Sequence, residues 1–245
     1  VFAGIYYIRK GLSLVIEKKF RSFILIPIIA NLGIFFVLTS VAWQQFNHWT
    51  DMLMPSLPHW LSFLDYLLLP IFWLLILAII FFTFNLLANL ISAPFYGLLS
   101  EKIEQSLTEN NPSKMNASFS IQELIQFIPQ TISRELRKLG YFLPKALGLI
   151  LLSFIPIINI SAAPLWILLG VWMTAIQYID YPADNNHVSW KDMLLFLRKN
   201  RLKAISFGGT AYLFLLIPGL NLLLMPAAVA GATIFWVNES KSTVL

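Results

Sequence analysis

Lys19-Phe20-Arg21-Ser22 carries the strongest physical case for a binding site in this chain. Two cationic side chains and a hydroxyl stand directly ahead of an uncharged stretch beginning at Ser22. If that stretch is a helix, its first-turn N–H groups and the positive end of its dipole face the same point. Such a cradle suits a tetrahedral oxyanion. Basic residues beside an apolar span also serve simply to orient it in a membrane, so the pattern alone leaves both readings open. A second grouping, Asp180, Asp184 and His187, is the only one that could hold a metal. One imidazole with two carboxylates is a poor zinc set and would suit a harder ion. A structural role fits better: Tyr181-Pro182 is expected to end one helix, and Ser189 with Asp192 three residues on makes a capping-box start for the next. No metal and no cofactor are expected. No serine, histidine and acid arrangement has a recognisable elbow, and no phosphate-cradling Gly-rich loop is present, so an ATP-driven motor within this chain is not expected.

The elements that must position these residues belong to a bilayer. Of 245 residues, 58 % are hydrophobic, only 12 % are charged, and 15 % are aromatic, including 20 Phe and 8 Trp; the mean hydropathy is +0.74. Soluble domains carry about twice that share of charge. The absence of cysteine excludes disulfide scaffolds, thiolate metal sites and cysteine nucleophiles together. A net charge of +5 would suggest nucleic acid in a soluble domain, but here the charges are placed to set topology and no nucleic-acid partner is expected.

Four stretches contain no Asp, Glu, Lys or Arg: Ser22 to Thr50, Tyr66 to Ser100, Ala146 to Ile179 and Ala204 to Asn238. Each exceeds the 18 or so residues that mark a candidate span. The first lacks a small-residue cleavage site, so it is expected to be a retained helix rather than a signal peptide. All 17 basic residues lie in Arg9 to Arg21, Lys102 to Lys145, Lys191 to Lys203, and at Lys241. The connection Gln44 to Asp65 has none, carries His48 and His59, and is where Trp43, Trp49, Trp60 and Tyr66 gather as an interfacial belt; it is expected outside, with both termini and the later polar segments in the cytoplasm. The third and fourth stretches, basic on both flanks, must then enter and leave on one side. Each is expected to be a hairpin, broken at Ile155-Pro156-Ile157-Ile158-Asn159 and at Ile217-Pro218-Gly219-Leu220-Asn221. Their first arms, 146–155 and 204–217, reach about 15 and 21 Å, short of the roughly 30 Å core.

The expected fold is therefore an all-α integral membrane protein. A single membrane domain, 1–245, comprises an amphipathic interfacial helix (1–21), full transmembrane helices at 22–43 and 66–93, a cytoplasmic helical segment (94–145), and partially penetrating, re-entrant helical hairpins at 146–179 and 204–238. The second span is expected to run past a kink at Pro94 to Leu107, with a floppy linker at Thr108 to Ser118. Helix is expected to resume over Ser120 to Lys138, with Glu123 in it and a break near Pro129. Pro156, Asn159 and Pro164 recur 62 residues later as Pro218, Asn221 and Pro226, which would make the hairpins parallel repeats. Small residues at Gly208, Gly209, Ala228, Gly231 and Ala232 would allow close helix contacts.

Longer motifs carry a resemblance. The amphipathic start at Gly4-Ile5-Tyr6-Tyr7, the junction Lys19-Phe20-Arg21-Ser22-Phe23, the run from Asn89-Leu90-Ile91-Ser92-Ala93-Pro94 to Glu101, Tyr141-Phe142-Leu143-Pro144-Lys145, Ala175 to Pro182 and Met225 to Thr233 follow one another over nearly the whole chain. In that order they resemble the CysZ sulfate permeases of the bacterial inner membrane. The resemblance implies sulfate uptake for assimilation into cysteine, with no enzymatic step. In the family pattern Gly precedes the bulky residue and Arg of the junction, and a second Arg is frequent after them. Here Lys19 replaces the Gly and Ser22 stands in the second Arg's place, leaving Arg21 as the matched charge; Lys19, Phe20 and Ser22 complete the expected sulfate-binding loop.

Sulfate is a dianion, and taking it into lipid without paired charges or many donors is prohibitive. Two complete spans and two partial hairpins enclose too little for a water-filled path, so a homo-oligomer is expected, with sulfate and the lipid bilayer as the other partners. Arg134, Glu135, Asn89 and Ser92 are the candidate pathway or coupling residues, Glu135 being the first candidate for proton coupling beside a channel-like route. Two readings compete: a membrane scaffold or lipid-handling protein with leaflet-inserting hairpins, and a membrane enzyme using Asp180, Asp184 and His187.

Overall fold

The computed structural model describes residues 2–53, 65–108, 121–156, 158–217 and 221–241. Every regular element among them is helical: α1 (Phe2–Val15), α2 (Ser22–Leu53), α3 (Asp65–Thr108), α4 (Ile121–Ser153), α5 (Ala162–Asn185), α6 (Trp190–Lys199), α7 (Arg201–Leu215) and α8 (Asn221–Lys241). Short 3₁₀ turns at Lys18–Phe20 and Ile158–Ser161 precede α2 and α5. Among the described residues, three segments are long and apolar enough to cross a membrane: Lys18–Gln45, Trp73–Thr108 and Ile158–Asn185. Large apolar side chains on them face outward, Phe36 at 73 % and Leu74 at 69 % exposure. A water-soluble monomer does not expose contiguous surface of that kind, and the chain is an all-helical membrane protein. The expected outer connection lies largely at 54–64, and the linker at 109–120, outside the described residues.

The chain divides into two compact units. In the unit 26–92, α2 and α3 supply apolar surface. There Phe35 meets Phe84 edge to face at 5.4 Å, and Asn31 Nδ2 donates to Ser92 Oγ at 2.9 Å.

The unit 1–25 plus 93–245 holds the core. Glycine lets its helices meet. A Cβ on Gly11 of α1 would collide with the Ala227 carbonyl oxygen of α8, and one on Gly208 of α7 with the Val171 carbonyl oxygen of α5. Ala228 and Ala232 are buried in the same layer, and Gly231 faces the Tyr7 carbonyl. The small residues expected to allow close helix contacts thus largely make them within this unit. Polar pins add to this packing: Tyr7 Oη donates to Glu239 Oε1 at 3.0 Å, and Lys203 Nζ lies 2.6 Å from Glu239 Oε2.

Proline breaks fewer helices than its placement suggests. Helix α4 runs unbroken through Pro129 and Pro144; both are exposed, so the carbonyls deprived of a partner lie near the helix surface, where the surroundings can take them up. Likewise α5 continues through Pro182 to Asn185, where Asn186 closes it by donating its backbone N–H to the Pro182 carbonyl. The first hairpin does turn at the expected place, between Ser153 and Ala162. For the second, α7 stops at Leu215 and α8 starts at Asn221, while Pro218, Gly219 and Leu220 lie outside the described residues. The repeat is loose at best: α4 has 33 residues where α7 has 15, and Pro164 falls in the first turn of α5 but Pro226 inside α8.

Candidate functional site

The Lys19–Ser22 loop is built by two aromatic anchors. Phe20 and Phe23 are buried at 0 % and 1 % exposure, so the backbone between them is fixed while Arg21 is exposed. Arg21 Nε donates to the Ile16 carbonyl at 3.2 Å, and its terminal nitrogens make no hydrogen bond to a described residue. Its own carbonyl accepts from Ile24 and Leu25 N–H at 3.1 and 2.9 Å, starting α2 directly after it. Lys19 Nζ sits 3.2 Å from Glu17 Oε2 and 4.9 Å above the Phe20 ring. Ser22, half-buried, is the first residue of α2. Buried anchors, an exposed cation and a helix start, whose N–H groups and dipole favour negative charge, stand together here. Phe20 can contribute only its backbone to anion binding.

Arg134 and Glu135 occupy a different place. On α4, Thr131, Arg134, Glu135 and Lys138 fall at i, i+3, i+4 and i+7, one face of a helix. Gln177, Asp180, Tyr181 and Asp184 repeat that spacing on α5. The two faces meet. Arg134 uses all three nitrogens: Nη1 donates to Asp180 Oδ1 at 3.0 Å, Nε lies 2.6 Å from Asp184 Oδ1, and Nη2 donates to the Val188 carbonyl at 2.5 Å. Lys138 Nζ bridges Glu135 Oε1 at 2.8 Å and Asp180 Oδ2 at 3.1 Å, under the Tyr181 ring at 4.7 Å. Gln177 Nε2 donates to Glu135 Oε1 and to Tyr181 Oη. Burial would lower the Lys138 pKa, but Asp180 and Glu135 outweigh it and hold the ammonium above its ordinary value.

The space left among these side chains is about 10 Å³, room for a single water. No tetrahedral anion fits there. The network clamps α4 to α5, and Asp180 and Asp184 are committed to Arg134 rather than to a metal; His187 lies beyond them, exposed, in the turn before α6. That turn ends as expected, with Ser189 Oγ accepting from Asp192 N–H at 3.2 Å to start α6.

Asn89 and Ser92 sit in the other unit. Asn89 is exposed, and Ser92 is buried as the acceptor for Asn31. Asn31 Oδ1 is itself buried with no hydrogen-bond partner among the described residues. Of the candidate residues, then, Lys19 to Ser22 stand together at the start of α2 and Arg134 and Glu135 together in the α4–α5 network, where the partners of Arg134 and Glu135 among the described residues come from α4, α5 and the turn after α5. The part played by Asp180 and Lys138 went unseen in the sequence, although their helical spacing was there to be read.

Residues 7–226 match the family described as "Sulfate transporter CysZ/Etoposide-induced protein 2.4". A protein of Pseudomonas fluorescens strain Pf0-1 named Sulfate transporter CysZ is 56 % identical over 241 residues, covering 98 % of this chain and 94 % of its own. A Pseudomonas aeruginosa (strain LESB58) protein of that name is 54 % identical, covering 99 % and 98 %. One from Vibrio atlanticus is 40 % identical, covering 99 % and 95 %. Similarity of this extent, running from the amphipathic start into α8, places the chain in the CysZ/EI24 family.

Proposed function

We propose that this protein carries sulfate across the bacterial inner membrane for assimilation into cysteine, without an enzymatic step. The observation that carries the reading is Arg21: an exposed guanidinium tethered through Nε to the Ile16 carbonyl, between two buried phenylalanines, at the start of a long apolar helix, in a chain whose relatives are named sulfate transporters. Lys19 and Ser22 add a second charge and a hydroxyl, and Phe20 fixes the backbone. Sulfate binds there before or after crossing. Arg134 and Glu135 hold the adjoining helices in register and shape the route indirectly, while Asn89 and Ser92 supply polar groups along the apolar pair.

For the second hairpin, the first arm supports partial penetration. Helix α7, of 15 residues, is about 22 Å long, less than the roughly 30 Å hydrocarbon core. A protomer of this build encloses a water-filled path poorly, and copies of the chain line it together. An interior-negative potential opposes inward movement of a dianion by about 4.6 kcal/mol per 100 mV, on the order of a thousandfold in concentration. Rapid consumption inside, or a cation entering with sulfate, offsets this.

Purified protein in liposomes should admit radiolabelled sulfate faster than protein-free vesicles and leave their shape unchanged. Liposome deformation without sulfate entry would instead support the lipid-handling reading.

A further inference from the structure

Beside the buried network, a second stripe of α4 lines an open cleft of about 280 Å³. Gln130, Ser133, Arg134 and Arg137 follow one another at helical spacing along it, and Asp184, His187, Val188 and Ser189 form the opposite wall. Two of its charges cancel, because Arg134 Nε and Asp184 Oδ1 are 2.6 Å apart. Arg137 is different. It is exposed and makes no hydrogen bond or ion pair with any described residue. The His187 imidazole is also without a partner among the described residues, although its backbone is firmly held.

That backbone has φ 55, a conformation few residues with side chains adopt. It is fixed by His187 N–H to the Asp184 carbonyl and Val188 N–H to the Ala183 carbonyl, both at 2.9 Å. Asn185 and Asn186 tie the same turn to α3, donating to the Gly97 carbonyl and to the Glu104 carboxylate at 2.9 Å. A cation and an imidazole are thus presented from opposite walls, on rigid backbone, into a space far larger than the 10 Å³ beside it. The α6 N-terminus adds little, since Ser189 and Asp192 already cap it.

We infer that this cleft is a second oxyanion site, with Arg137 and His187 as its direct ligands and Ser133 and Gln130 as neutral donors. Its ligand is a tetrahedral dianion: a guanidinium fork matches two oxygens and an imidazole N–H a third. It shares no residue with the Lys19–Ser22 loop. Its use as a station for transported sulfate rests on the function proposed above; its capacity to bind an oxyanion does not.

The test titrates the purified full chain in detergent with sulfate and, separately, with inorganic phosphate, by calorimetry at constant ionic strength. Arg137→Gln should weaken one binding event about tenfold or more. His187→Gln, on the opposite wall, should weaken the same event, Arg137→Lys should recover part of it, and Arg21→Ala should leave it in place. Phosphate binding that needs Arg137, with no sulfate binding anywhere, keeps the site and removes the transport reading. Sulfate binding lost only in Arg21→Ala overturns the site and leaves transport standing. Wild type and Arg137→Gln binding both anions equally, or wild type binding neither, also overturns it.

Discussion

Asp180 is the residue on which the α4–α5 clamp turns. At 1 % exposure it receives both Arg134 and Lys138, so Asp180→Ala leaves two buried cations short of a partner and should cost about 3–5 kcal/mol. Asp184→Ala should cost less, because Asp184 is more exposed and Arg134 keeps Asp180. Thermal unfolding in detergent ranks the two, and equal losses would contradict the assignment. Lys138 adds a check of sign. Its raised pKa gives a contribution fully present below the unfolded value of about 10.5 and lost only as pH climbs through the folded one, so stability measured from pH 6 to 8 should show no step due to Lys138. In the sequence, Arg134 and Glu135 stand out as charges near apolar stretches, but the α5 side chains that meet them, Asp180 for Arg134 and Gln177 for Glu135, lie 46 and 42 residues away, and only Lys138, which bonds Glu135, is local. The Arg21 loop was the opposite case: its charge, its hydroxyl and the helix start are contiguous, so its chemistry was legible at once, while the burial of Phe20 that immobilises it was not.

Elements were legible where composition decides them. Uncharged runs mark α2 and α3, and the first hairpin turns where Pro156 falls. Proline within α4 and α5 misled because its penalty depends on whether the freed carbonyl finds another partner, which is a tertiary matter. The small residues were legible as places of close helix approach, though spacing alone does not say which helices meet there. Gly11→Val should therefore destabilise the α1–α8 contact by about 1–3 kcal/mol or more, visible as a lower unfolding temperature. Gly209→Ala, whose added carbon would meet only Val171 at an ordinary 3.7 Å, should be neutral or stabilise by up to about 1 kcal/mol. Ser189→Ala should cost about 1 kcal/mol by uncapping α6. If Gly11→Val and Gly209→Ala behave alike, the close approach of α1 and α8 is wrong.

At the scale of the whole molecule, a chain with 12 % charged residues places its ionic groups sparingly, and each cluster has a distinct task. The Asp180 network closes the space between two helices to the size of one water, whereas the Arg21 loop keeps its charge outside the core, between the buried Phe20 and Phe23. The proposed sulfate transport draws on the second arrangement, since the first leaves no room for a tetrahedral anion. The most direct measurement is radiolabelled sulfate entry into liposomes with the membrane potential clamped at zero, wild type beside Arg21→Ala at matched protein content. Wild-type vesicles should fill while Arg21→Ala stays near the protein-free leak. Equal filling by both would contradict the role given to Arg21, and wild-type entry no faster than the leak would contradict transport itself.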